Sequence, residues 1–227
     1  MSISQNLEAI QDRIKKAENK SKRNSRNITL VVASKYADGK QMKELVAAGA
    51  KVIGENREQD LRRKYAIYGT KIDWHFIGHL QRNKVKHVIK IASLIHSVDS
   101  SKLIAELEKQ LSKIHKKQSI LLEVNTASEP SKYGVSPKDV VQLAKDCSHC
   151  QFVKLTGLMT MGGMVEHAED NRKNFRSLKN LAEKIKKKKL AHVSMNHLSM
   201  GTTRDFKVAI EEGATLVRIG SAIFHEQ

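Results

Sequence analysis

The sequence predicts one α/β barrel, a (β/α)8 TIM barrel of eight parallel strands preceded by an extra N-terminal helix, and three observations carry that expectation. Short apolar runs alternate with helical patterns along the whole chain. Eight such runs can be counted, the number that closes a parallel sheet into a cylinder. The 227 residues also suit one barrel, so 1–227 are expected to form a single domain.

Residues 4–21 set Leu7, Ile10 and Ile14 three and four apart among charged residues, the pattern of an amphipathic helix. The polar stretch around Ser25 and Asn27 ends it. The alternation then runs ITLVVASK, GKQMKELVAAGA, KVIGEN, REQDLRRKYAIY and IDWHFIG, followed by QRNKVKHVIKIA, SLIHSVDS and KLIAELEKQLSKIHKK. It continues with SILLEVNT, PKDVVQLAKDCSHC, KLTGLMTM and a long helix over 166–189, then HLSMG, TRDFKVAIEEG and a last strand LVRIGSAIF ending at Phe224. No helix is expected after that strand, so the N-terminal helix is assigned to cover its part of the wall. A doubly wound open sheet would show the same alternation, but no GxGxxG follows the first strand.

Composition narrows the function classes. No run approaches the roughly 18 apolar residues of a membrane span, and the polar start lacks the apolar centre of a signal sequence. A cytoplasmic protein without membrane contact is expected. The net charge of +17 could draw nucleic acid, yet the lysines are spread over every helix. The densest run, KIKKKK at 184–189, lacks the interleaved aromatics that stack bases. A solvated basic surface is therefore expected, with no nucleic-acid partner, and the charge favours a phosphorylated ligand. Cys147 and Cys150 form a CxxC near the end of a helical pattern, whereas redox pairs sit where a helix begins. No further ligands accompany them, and no metal site is expected.

Reactive groups of such barrels lie at the C-terminal ends of the strands. Strand one closes with Lys35 after the run LVVAS. Burial there would favour the neutral amine, a nucleophile toward aldehydes; a lysine snorkelling at a loop is the plainer alternative. Strand two closes with Gly54, Glu55 and Asn56, whose amide could orient a ligand or cap the next helix. His75, inside strand three, is read as a core hydrogen-bonding group, and His79 just beyond is expected to face the mouth. After strands seven and eight, Gly201, Thr202, Thr203, Gly220 and Ser221 supply the glycine turns and hydroxyls of a phosphate site. Thr203, with Asp205 and Phe206 behind it, could instead cap a helix. Arg218 shares a strand face with Gly220 and is placed inside the barrel. An amine, a guanidinium and two glycine–hydroxyl turns together point to a phosphorylated aldehyde.

The segments VVASKY, IGENREQD, WHFIGHLQRNK, LLEVNTASEPSKYGV, LTGLMTM and LSMGTTRDFKVAIEEGATLVRIGSAIF resemble, over nearly the whole chain, the YggS-type pyridoxal phosphate homeostasis proteins. That family is similar in fold to the N-terminal barrel of alanine racemase, pyridoxal phosphate (PLP) fold type III, and lacks the second domain of that enzyme. The resemblance implies a carrier or buffer of the cofactor pyridoxal 5'-phosphate without catalysis. It implies a Schiff base on Lys35, and phosphate and ring contacts from the SMG and RIG segments, hence Ser199 and Gly201, then Arg218 and Gly220. Where relatives often show SMGMS this chain has SMGTT, so Thr203 keeps a hydroxyl and Thr202 replaces a methionine. The chain ends FHEQ where a glycine is usual after the phenylalanine. Lys132, in EPSKYGV, is implied to receive or relay cofactor near the surface.

Two other classes stand beside the carrier. An amino-acid racemase needs proton donors on both faces of its bound substrate, and Lys35 serves one. A nucleic-acid-binding module would rest on the charge alone. Recipient apoenzymes are the partners a carrier implies, and a monomer is expected.

Overall fold

The computed structural model describes residues 2–21, 28–127, 129 and 133–224. The chain opens with α1 (Ile3–Lys20), fixed at its start by a capping box. The Ser2 hydroxyl accepts from the Gln5 amide, and the Gln5 side chain accepts from the Ser2 amide. Its buried face carries Ile3, Leu7, Ile10 and Ile14 at helical spacing. The Ser25–Asn27 terminator of the sequence reading lies outside the described residues.

Eight parallel strands follow: β1 (Thr29–Ala33), β2 (Val52–Glu55), β3 (Asp73–Phe76), β4 (Leu94–Val98), β5 (Gln118–Glu123), β6 (Val153–Met159), β7 (Val193–Ser199) and β8 (Leu216–Ile219). They close in sequential order into a barrel, the last seam pairing Thr29 with Leu216 through Val32 with Ile219. Between them run α2 (Gly39–Ala47), α3 (Glu58–Tyr68), α4 (Val85–Val88), α5 (Ser101–Lys113), α6 (Val140–Ser148), α7 (Arg172–Lys186) and α8 (Phe206–Glu212). Asp38 closes a capping box with Gln41 at α2, and Ser100 caps α5, so local chemistry sets both starts.

Two apolar clusters result. The larger lies between the strand wall and the helices and holds Trp74, Phe76, Phe175 and Phe206 fully buried. The smaller, Val31, Ile77, Leu94, Leu121, Met159 and Leu216, fills part of the barrel interior. The remaining interior is polar, and it bears on the site below.

Three expectations are corrected. β8 stops at Ile219, and a one-turn helix, α9 (Ser221–Phe224), follows it. The run LVRIGSAIF is apolar apart from Arg218 and Ser221, so its periodicity does not separate strand from helix. The helix over 81–92 shrinks to a 3-10 turn at Arg82–Lys84 and the four-residue α4. β7 begins at Val193, four residues before the apolar signal does. The assignment of α1 holds: it packs on α8, α9 and α2, and Asn6 Nδ2 donates to Ile223 O at 3.1 Å. Among the described residues no helix is long and apolar enough to cross a membrane.

Candidate functional site at the barrel mouth

The C-terminal ends of β1, β2 and β8 surround a cleft of about 340 Å³. Lys35, Asn56, Thr203, Arg218, Gly220 and Ser221, six of the residues expected from the sequence, all line it. Gly220 sits against β1 so closely that a Cβ there would lie 2.7 Å from Ala33 O. Only a residue without a side chain permits that approach. Beside it the Ser221 hydroxyl donates to Thr203 Oγ1 at 3.0 Å, joining the turns after β7 and β8.

Lys35 stands differently from the expectation. β1 ends at Ala33, and Ser34, fully buried, turns toward Glu55 and Lys64, which leaves Lys35 exposed at the rim. Its Nζ lies 4.6 Å from the centroid of the Tyr36 ring, a cation–π contact. Lys35 is thus not buried as the apolar run before it suggests, yet it lines the cleft wall.

Arg218 lies inside the barrel, 4% exposed. Nη1 donates to Ser199 Oγ at 2.6 Å, and Nη2 donates to Thr160 O at 2.8 Å and to Met161 Sδ at 3.3 Å. Burial pushes the guanidinium down to about 10, against the opposing pull of Glu123 and Asp205. Glu123, at the end of β5, is itself raised to about 7, chiefly by burial.

Ser199 and Gly201 do not line the cleft. Ser199 is fully buried behind Arg218. Gly201, at φ +92°, meets Phe206 and Ala209 of α8, and its carbonyl accepts from the Arg218 amide. Both lie behind the cleft wall. Thr202 does reach the cleft, but its amide and hydroxyl donate to Asp205 Oδ1 at 2.7 and 3.1 Å. Thr203 makes no cap for α8, whose N-cap is Asp205, and Asn56 makes none for α3, whose N-cap is Arg57. His79 does not line this cleft; it stacks on Tyr133 at 4.1 Å and lies 3.8 Å from Asp99. Lys132 lies outside the described residues.

Sequence reasoning missed Tyr36, Met161 and Arg204 on the cleft wall. Tyr36 and Arg204 neighbour residues that were chosen, and that adjacency was the available signal. Met161, in the turn after β6, closes the apolar run KLTGLMTM, and its place at a strand end was the signal for it. Cys147 and Cys150 are buried free thiols, both raised mainly by burial, Cys150 to about 11.

Comparison with known proteins places this geometry. The model of the alanine racemase N-terminal domain matches residues 5–227. A pyridoxal phosphate homeostasis protein of Aquifex aeolicus is 40% identical over 228 residues, covering 100% of this chain and 99% of that one. A crystal structure of an unknown protein from Bifidobacterium adolescentis superposes with a TM-score of 0.91 at 31% identity, covering 98% of this chain and 94% of that one. PipY of Synechococcus elongatus, solved with PLP bound, gives a TM-score of 0.84 at 26% identity, covering 99% and 100%.

Proposed function

The chain belongs to the pyridoxal phosphate homeostasis proteins, within the wider family of the alanine racemase N-terminal domain, and from that premise we propose that it binds pyridoxal 5'-phosphate on Lys35 and stores it without turnover. The observation that carries the proposal is the composition of one cleft. Its wall offers the Lys35 amine, the guanidinium groups of Arg204 and Arg218 and the Thr203–Ser221 hydroxyl pair, with no acidic side chain among the described lining residues. That set suits an anionic aldehyde.

A second feature fits the same ligand. Asn56 Oδ1 is buried with no hydrogen-bond partner among the described residues, although it borders the cleft. An orphaned buried acceptor costs about 1–3 kcal/mol, and a ligand hydroxyl or amine would satisfy it. PipY, the relative solved with PLP bound, supports the choice of cofactor.

When bound, the cofactor supplies an electrophilic aldehyde and an electron-withdrawing pyridine ring. Lys35 provides the amine for the aldehyde, and its exposed place at the rim leaves it open to competing amines. Thr203, Ser221 and the Gly220 turn would take the phosphate, with Arg204 adding charge. Arg218 can only donate hydrogen bonds, so a pyridine nitrogen against it would stay an unprotonated acceptor. That weakens electron withdrawal and supports storage over carbanion chemistry. Release would follow exchange with free amines or with recipient apoenzymes.

The test is to mix purified protein with pyridoxal 5'-phosphate, record the spectrum, reduce with borohydride and locate the added mass. The adduct is expected on Lys35, and its absence there rejects the proposal. Interconversion of D- and L-amino acids that disappears in Lys35→Ala would replace storage with racemisation.

A further inference from the structure

Behind the cleft a hydrogen-bonded column of side chains crosses the barrel interior. Arg218 Nη1 donates to Ser199 Oγ at 2.6 Å, and Ser199 Oγ lies 2.8 Å from His96 Nδ1. His96 Nε2 lies 3.0 Å from His75 Nδ1, and His75 Nε2 lies 3.5 Å from Asp73 Oδ2. The column starts at the mouth in β8, steps through β7 and β4, and ends in β3. Asp73, half exposed at the opposite end of that strand, also accepts from the Ser93 hydroxyl. His96 is completely buried and His75 nearly so.

Proton counting fixes the sense of this column. A guanidinium only donates and a carboxylate only accepts, so the two ends are set. Ser199 accepts from Arg218, and its own buried proton has His96 Nδ1 as acceptor. His96 then carries its proton on Nε2 and donates to His75 Nδ1, which leaves the His75 proton on Nε2 toward Asp73. Reversing it fails at both ends: the Ser199 proton loses its acceptor on His96, and an unprotonated His75 Nε2 faces the Asp73 carboxylate. Desolvation chiefly holds His96 well below the usual imidazole value, and the nearby Arg218 guanidinium adds to it. A neutral His96 is what the count requires.

We propose that His75 and His96 are positioning residues of the cofactor cleft: they fix the Ser199 hydroxyl as an acceptor for Arg218 and so aim the guanidinium at the ring of the bound ligand. The inference rests on the cofactor reading above. It follows from a feature that reading does not use. None of the Arg218 hydrogen bonds runs to a carboxylate among the described residues; its fork rests on a hydroxyl, a carbonyl and a thioether. The carbonyl is fixed by the backbone, and the hydroxyl, which could otherwise turn away, is held by His96.

Three variants separate the outcomes. His96→Phe removes the acceptor for Ser199. His96→Gln keeps an acceptor toward Ser199 and a donor toward His75 and serves as the conservative rescue. Asp73→Asn changes only the half-exposed terminus, where folding is safe, and lets either end of its amide face His75. In the cofactor-free full-length protein, long-range proton–nitrogen correlation should place the proton of both His75 and His96 on Nε2. Asp73→Asn should mix the tautomers. With pyridoxal 5'-phosphate, His96→Phe should bind roughly tenfold or more weakly, the loss expected when a charge-assisted bond is misaimed, and shift the absorption maximum. His96→Gln should restore both.

A Nδ1 proton on either histidine overturns the inference without reference to any ligand. So does a wild-type protein that forms the Lys35 adduct while His96→Phe keeps its affinity and absorption maximum. A wild-type protein that forms no Lys35 adduct refutes the cofactor reading instead, and with it the role assigned to the column.

Discussion

Lys64 Nζ lies 2.5 Å from Glu55 Oε1, in a pair whose side chains are 6% and 0% exposed. The same ammonium donates to Ser34 O at 2.7 Å, and the Ser34 hydroxyl donates to Glu55 Oε1 at 2.5 Å. Glu55 Oε2 accepts from the Asn56 amide at 3.3 Å. One buried ion pair thus ties α3 to the ends of β1 and β2, directly behind Lys35 and Asn56.

Breaking that pair from one side should be costly. Lys64→Met leaves the Glu55 carboxylate buried and uncompensated, a loss of about 3–5 kcal/mol in unfolding free energy by urea titration. The double variant Lys64→Met with Glu55→Gln should recover much of it. Equal losses in the two would show that packing, not charge, sets the cost.

Glu123 sets a dependence on pH. Burial raises its carboxyl from 4.5 to about 7 in the folded protein, despite Arg218 pulling it down. The folded state therefore holds that proton more tightly than the unfolded chain does. Its contribution is full below the ordinary value and is lost as pH rises through about 7. Glu123→Gln, which cannot ionise, should gain on the wild type between about pH 5 and 8, by an amount on the order of 3 kcal/mol. A constant difference across that range in thermal or urea unfolding contradicts the assignment.

Gly201 should resist even a methyl group. At φ +92° a Cβ would lie 2.6 Å from Ala209 Cβ and 2.9 Å from Phe206 Cα. Gly201→Ala combines backbone strain with overpacking and should cost about 2–4 kcal/mol. Gly39→Ala, in α2 with nothing within 4 Å of the added atom, should be neutral or stabilising. Melting temperatures of the two variants give the comparison.

The two cysteines should be inert in the folded state. With the Cys150 thiol held at about 11 and Cys147 raised further, little thiolate exists near neutrality. Alkylation by iodoacetamide followed by mass spectrometry should label neither residue natively and both after denaturation. Rapid native labelling of either would contradict the burial that raises them.

Much of the barrel is legible along the chain because its elements obey local rules. The period of Leu7, Ile10 and Ile14 defines α1, and strand runs such as LVVA and SILLE alternate with the helical patterns that follow. The C-terminal strand ends then point to Lys35, Asn56, Thr203, Arg218, Gly220 and Ser221, which meet at one mouth. Where the signal is locally ambiguous the reading slips: Gly220–Phe224 is as apolar as a strand, yet Ala222 and Ile223 are buried within a helical turn beneath α1.

Periodicity, caps and glycine turns act between near neighbours, so they are enough to give the order of elements, the barrel class and six of the residues at its mouth. Tertiary packing alone sets Lys35 exposed beside Tyr36, Ser199 behind Arg218 and not in the cleft, and His75 against His96 of the neighbouring strand. The last two relations join residues 19 and 21 positions apart on different strands, and closing the sheet fixes which inward side chains share a level. Burial and hydrogen-bond partnership are properties of that closure, which no local pattern encodes.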